Sequence, residues 1–208
     1  MPPVARRILF VALVVTTVLT GCTGGAKKHA ATQTSSETFT RATVKLDVSR
    51  AELVSPHQVL GPLDAATTDK VRTVVERMLL VTSASPLVEG RAGAGFAELF
   101  TPDAGARAAS SDRAAVFDEG LPRFGTLHTD TARVGLTGLA GTLDPSTALV
   151  VAKFDWDVAS VEHPNDRVTR TGELSLIPVG GAWKIGAYTV VVTRTIDDTT
   201  TTTTAKSG

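Results

Sequence analysis

The sequence predicts an α+β domain, with three N-terminal helices packed on a curved antiparallel sheet of four or more strands. Two observations carry that prediction. Val71, Val74, Val75, Met78 and Leu79 recur at the spacing of one helical face. After Pro122 the apolar period falls to two, most clearly in residues 147–161, and runs of helices followed by runs of strands mark the α+β class.

In chain order, residues 38–64 read as an extra strand and a loop. Val44-Lys45-Leu46-Asp47-Val48 alternates apolar and polar, and Pro56, Gly61 and Pro62 come after it. The first helix covers residues 68–82, with Thr67 or Thr68 as its cap and Asp69 near the positive end of its dipole. Pro86 bars further helix beyond it. A second, shorter helix holds Phe96, Leu99 and Phe100 and ends at Thr101-Pro102. A third runs from about Asp112 to Glu119, with Ser111 or Asp112 as cap, and Gly120 terminates it.

The strands come next. Residues 126–137 alternate loosely through Leu127, Ala132, Val134 and Leu136. In residues 147–161, Ala148, Val150, Ala152, Phe154, Trp156 and Val158 share one face; Leu149, Val151, Lys153, Asp155 and Asp157 share the other. Pro164-Asn165-Asp166 turns into a strand from Val168 to Ile177, and Pro178 to Gly181 turns into the last strand, Ala182 to Thr193. Phe154 and Trp156, with Trp183, are expected to line the sheet under the helices.

Both ends depart from this pattern. Arg6 and Arg7 precede an apolar run from Ile8 to Leu19 of about a dozen residues, short of the ~20 that span a bilayer. This is the layout of a secretory signal. The run closes on Leu19-Thr20-Gly21-Cys22, which resembles the bacterial lipobox. That resemblance implies a signal peptide over 1–21, cleavage before Cys22, and a diacylglyceryl thioether on Cys22. The protein would then be anchored by lipid on the extracytoplasmic face of the cell membrane. Two acyl chains suffice for stable anchoring, since each buried methylene contributes roughly 0.8 kcal/mol. Residues 22–37 are small and polar and read as a disordered tether. Residues 197–208, with six threonines from Thr199 to Thr204 and no apolar face, read as a disordered tail.

Composition narrows the chemistry. The chain has 208 residues and one cysteine, so lipidation of Cys22 removes every thiol, disulfide and cysteine-ligated metal from the mature protein. Loss of Arg6 and Arg7 turns a balance of 21 basic and 21 acidic residues into a net charge of about −2. Neither a nucleic-acid footprint nor a polybasic membrane patch is present.

The element order between residues 65 and 195 is similar to that of the NTF2-like (cystatin-like α+β) superfamily. Gly181-Ala182-Trp183-Lys184-Ile185, opening the last strand after a glycine hairpin, is the particular likeness. The resemblance implies a cone-shaped domain, in many cases with a pocket between helices and sheet. Such pockets serve catalysis, ligand binding or packing alone, so fold does not give function.

Candidate site residues are few. Cys22 is the lipidation site. Asp155 and Asp157 flank Trp156 on one strand face, about 6.6–7 Å apart by strand rise. They are either a carboxylate pair with one raised pKa or a solvated outer face beside Lys153. Tyr188 falls on the face of Lys184, Gly186 and Val190, opposite Trp183 and Ile185, where it either donates into a pocket or packs as an ordinary strand aromatic. No two of His29, His57, His128 and His163 have ligand spacing, so no metal is expected. His128 and Asp130 lie in period-2 register as a surface pair. Arg91-Ala-Gly-Ala-Gly95 is glycine-rich but precedes a helix, and reads as a loop. No catalytic residue or cofactor is implied. The expected function is that of a non-catalytic lipoprotein whose domain binds an envelope protein partner or a small apolar ligand. A pocket enzyme using a carboxylate or Tyr188, and an accessory subunit of an envelope transport complex, are the alternatives.

Overall fold

The computed structural model describes residues 42–56, 58–141 and 147–208. The signal segment, the tether and Cys22 lie outside these residues, as do His29 and His57. The elements run in the order β1 (Asp47–Ser55), β2 (Gln58–Pro62), α1 (Ala65–Leu79), a π turn (Leu80–Ala84), α2 (Ser85–Glu89), a 3₁₀ turn (Ala97–Leu99), α3 (Pro102–Ala109), α4 (Arg113–Val116), then β3 (Leu127–Ala140), β4 (Thr147–Ser160), β5 (Arg167–Val179), β6 (Ala182–Ile196) and β7 (Thr199–Ser207).

The expected three helices ahead of an antiparallel sheet are not what forms. Two strands precede the helices, and the sheet is mixed and seven-stranded, ordered β2-β1-β3-β4-β5-β6-β7. β1 pairs parallel to β3, and the remaining pairs are antiparallel. The helices serve as the crossover that a parallel pair requires, so they must come after β1 in the chain. Alternation at Ala42, Val44 and Leu46 is real, since all three are buried, but strand pairing begins only at Asp47. Glu76 Oε1 ties this segment to α1 by accepting from Leu46 N at 2.9 Å.

The helix stripe packs as its spacing requires. Val71, Val75, Met78 and Leu79 are buried against a sheet face built from Val134, Leu136, Val150, Ala152, Phe154, Trp156, Val158 and Leu174. The cap differs. Asp64, not Thr67 or Thr68, is the N-cap, its Oδ1 accepting from Thr67 N at 2.8 Å, which holds the Asp64 carboxyl below its ordinary pKa. The helix does not stop before Pro86 either. Ser85 N donates to Leu80 O in an i→i−5 bond, and the wider π turn admits the proline that an α-helical interior would exclude. Gly90, at φ 73°, ends the segment. Pro102 likewise begins a helix rather than closing one. Thr101 is extended, and Pro102 takes a first-turn position where its missing N–H costs nothing. The third expected helix shrinks to Arg113–Val116.

The tail is the clearest correction. Residues 199–207 form β7, paired with β6 from Ile196–Thr199 to Tyr188–Ser207. Asp197 and Asp198 both have positive φ, 47° and 63°, and make the two-residue turn that a right-twisted hairpin favours. Gly180 and Gly181, at φ 59° and 82°, make the equivalent turn between β5 and β6. A threonine run needs no apolar face of its own when a finished sheet offers an edge. Its β-branched stems suit the pleat, and Ala205 and Ser207 supply the buried positions.

Removing residues 199–208 uncovers Val190 and Val192, which are 3% and 0% exposed in the intact sheet. We expect that truncation to lower unfolding free energy by about 2 kcal/mol or more, on the scale of one buried valine. Urea denaturation of truncated and full chains measures it; a disordered tail would leave the midpoint unchanged.

Candidate functional site

The sequence-predicted candidates separate in space. Asp155 and Asp157 lie on the sheet face turned away from the helices, and each has its own guanidinium. Arg133 Nη2 is 2.8 Å from Asp155 Oδ2, and Arg167 Nη1 donates to Asp157 Oδ2 at 2.6 Å. Thr169 adds a bond to Asp157 Oδ1 at 3.2 Å. The two carboxylates are thus bonded to separate guanidiniums and not to each other. His128 Nε2 lies 3.1 Å from Asp130 Oδ1, on the surface as expected.

Tyr188 lies on the other face from the one its parity predicts. Ser175 pairs with Ala187 and Leu176 with Ile185, so Gly186 is an extra residue in β6. This bulge reverses the alternation and puts Tyr188 on the same buried face as Ile185. The Tyr188 hydroxyl donates to Asp112 Oδ2 at 2.6 Å, and its ring meets Phe100 edge-on at 6.0 Å. Burial, together with the Asp112 carboxylate as the lesser cause, pushes its pKa well above 10. The phenol is a neutral donor locked in the core.

A different constellation occupies the region between helices and sheet. Asp118 is 1% exposed and sits between Arg170 and Arg194, 1% and 7% exposed. Arg170 Nε donates to Asp118 Oδ2 at 3.0 Å, and Arg194 Nε to Oδ1 at 2.7 Å. Arg170 Nη2 is also 2.7 Å from Oδ2, but off the line of a hydrogen bond, so that contact is electrostatic. The Ser83 hydroxyl donates to Oδ2 as well. The π turn makes this possible, because it places Ser83 against the carboxylate and sets Thr82 O to accept from Asp118 N at 2.9 Å.

One carboxylate against two guanidiniums leaves a positive surplus. Backbone oxygens at the end of α4 absorb part of it: Val116 O accepts from Arg170 Nη1 at 2.9 Å, and Ala114 O and Phe117 O accept from Arg194 Nη2 at 3.2 and 3.1 Å. Thr203 on β7 accepts from Arg194 Nη1 at 2.9 Å. Burial pulls the Arg170 pKa below its ordinary value; Asp118 opposes that shift and Arg194 adds to it.

Arg194 forms part of the wall of an open cleft of about 460 Å³. Phe117 and Leu121 make its apolar side. At the rim Arg113 Nη2 pairs with Glu119 Oε2 at 2.7 Å, and Arg113 lies over the Phe117 ring at 4.6 Å. The arrangement suits recognition of an anionic group attached to an apolar body. A second depression, of about 340 Å³, gathers Glu162, Asp166, Asp197 and Asp198 at neighbouring turns. Among the described residues, no group of His, Cys, Asp or Glu has the geometry to hold a metal ion, and no helix is long and apolar enough to cross a membrane.

Sequence reading missed this constellation, although one signal was present. Arg170 shares strand parity with Val168 and Leu174, and Arg194 with Val190 and Val192. A charged side chain at a core-facing strand position requires a buried partner. Asp118 gave no comparable signal, since its segment reads as helix. No protein-family model, curated protein or solved structure matches the chain.

Asp118→Ala leaves two buried guanidiniums without their carboxylate. It is expected to cost about 3–5 kcal/mol in urea unfolding, the range for breaking a buried ion pair. Tyr188 carries a raised pKa, so its contribution is fully present below the unfolded value of about 10 and is lost as pH rises beyond it. Tyr188→Phe is therefore expected to flatten the decline of stability above pH 10, measured by denaturation at pH 8 to 11.

Proposed function

We propose that the protein is an extracytoplasmic lipoprotein, held to the membrane by lipid on Cys22, whose folded domain is a non-catalytic binding module. Its ligand is a small molecule with an apolar body and an anionic end, seated in the cleft beside α4. The observation that carries this reading is the buried Asp118–Arg170–Arg194 group. Its surplus positive charge reaches the cleft through Arg194, next to the apolar surface of Phe117 and Leu121. An anion there gains from a preorganised guanidinium, and the apolar body gains from burial.

The remaining titratable candidates favour binding over catalysis. Asp155, Asp157 and Tyr188 are each engaged in separate bonds and do not converge on one space.

Palmitate labelling of the expressed full chain tests the anchor. Label is expected on the native chain and absent from Cys22→Ala; label retained by the variant would defeat it. Titration of decanoate against decanol, monitored by amide chemical shifts, tests the site. Decanoate is expected to move residues 110–121 and decanol much less, and Arg194→Lys, which keeps a cation but loses the guanidinium fork, is expected to weaken decanoate binding about tenfold. Equal responses to acid and alcohol would refute an anion site.

A further inference from the structure

The seven-stranded sheet ends in two edges that are built differently. β2 is protected. It has five residues, Gly61 lies at φ 147°, Pro62 closes it, and its pairing with β1 shifts register between Leu53 and Val54. Prolines, bulges and short length are the devices that keep a sheet edge from pairing. β7 carries none of them. It runs nine residues, Thr199–Ser207, with no proline, no glycine, one charged side chain at Lys206, and unbroken register on β6. Arg107 Nη2 occupies the Lys206 carbonyl at 3.1 Å, leaving Thr199 to Thr204 uncovered by that contact.

We propose that β7 is the contact strand of a symmetric dimer, in which two copies of this chain pair β7 antiparallel to β7 and continue one sheet across a two-fold axis. An isologous contact requires a strand complementary to itself, and β7 meets that requirement in three ways. First, it is almost uncharged, so like charges do not oppose one another. Second, threonine rows already pair in this sheet. On the face away from the helices, Thr193 Oγ1 meets Thr202 Oγ1 at 3.2 Å and Thr195 Oγ1 meets Thr200 Oγ1 at 3.0 Å. The Thr200, Thr202 and Thr204 row of a second copy offers the same chemistry. Third, the ends select the register. Opposed residues in an antiparallel pair share a face, so a two-fold contact must centre on a residue. Centring on Thr202 sets Thr200 against Thr204 and Thr201 against Thr203, and brings Lys206 of each copy beside Asp198 of the other. Centring on Thr201 would set Asp198 against Thr204 instead, and centring on Thr203 would set Lys206 against Thr200; both lose that charge pair.

Disulfide trapping in the full chain carrying Cys22→Ser, where an introduced thiol is the only cysteine, tests the register. Opposed Cα atoms in antiparallel strands lie about 4.5–5.5 Å apart, within disulfide range. Under mild oxidation Thr202→Cys is expected to give covalent dimer at least about fivefold faster than Thr201→Cys, Thr203→Cys or Val59→Cys on the opposite edge. Mixing the Thr201→Cys and Thr203→Cys chains is expected to restore rapid cross-linking. Equal rates at all four positions, or the fastest rate at Val59→Cys, would overturn the proposal. So would a rapid Thr201→Cys homodimer, which assigns a different register.

Discussion

The Asp118 carboxylate, buried between two guanidiniums, is the constraint on which the helical layer depends. A lone carboxylate at that depth would be far too costly to keep ionised, and so would either arginine. Arg170 comes from β5, Arg194 from β6, Ser83 from the π turn, and Asp118 from the segment after α4. The group therefore fixes four parts of the chain at one point. It also accounts for features that look like defects in isolation. A π turn interrupts a helix because Ser83 and Thr82 must both reach Asp118. α4 stops after one turn because its terminal carbonyls are required as acceptors for the arginines.

Two glycines set the sheet surface that receives this layer. Gly186 is the unpaired residue in β6, and the parity reversal it causes brings both Ile185 and Tyr188 onto the core face. Gly172 lies under the Phe154 ring; a Cβ there would meet Thr189 O at 2.6 Å and Phe154 Cε1 at 2.7 Å. The aromatic ring fills the space the missing side chain leaves, which is how a glycine persists inside a central strand.

The features legible in the sequence were those that depend on side-chain period. The Val71–Leu79 stripe, the alternation of β4 and the turns near Pro164 and Gly180 come directly from spacing and turn chemistry. The features that could not be read depend on partners distant in the chain. The parity of Tyr188 turns on one bulged glycine. The fate of the threonine run turns on whether β6 has a free edge. Pro86 is tolerated only because the preceding turn is wide. The role of Asp118 turns on arginines 52 and 76 residues away. The parallel β1–β3 pair, which displaces the expected helices-first order, is likewise a pairing between remote segments. Core-facing Arg170 and Arg194 were the one legible sign that a buried acid had to exist.

The cleft and the sheet edge share a component. Thr203 belongs to β7 and accepts from Arg194 Nη1, while Arg194 Nε holds Asp118 and its Nη2 holds the end of α4. Displacing β7 would therefore remove one of the acceptors that orient the guanidinium lining the cleft. Ordering β7 against a neighbouring strand would have the opposite effect, restricting Arg194 to the rotamer in which it faces both Asp118 and the cleft. Preorganisation of this kind strengthens binding without adding a contact to the ligand. Thr203 Oγ1 thus offers one direct route for coupling between self-association and ligand affinity, and linkage makes it reciprocal: whatever strengthens the hold on Arg194 from the cleft also favours the state of β7 that pairs.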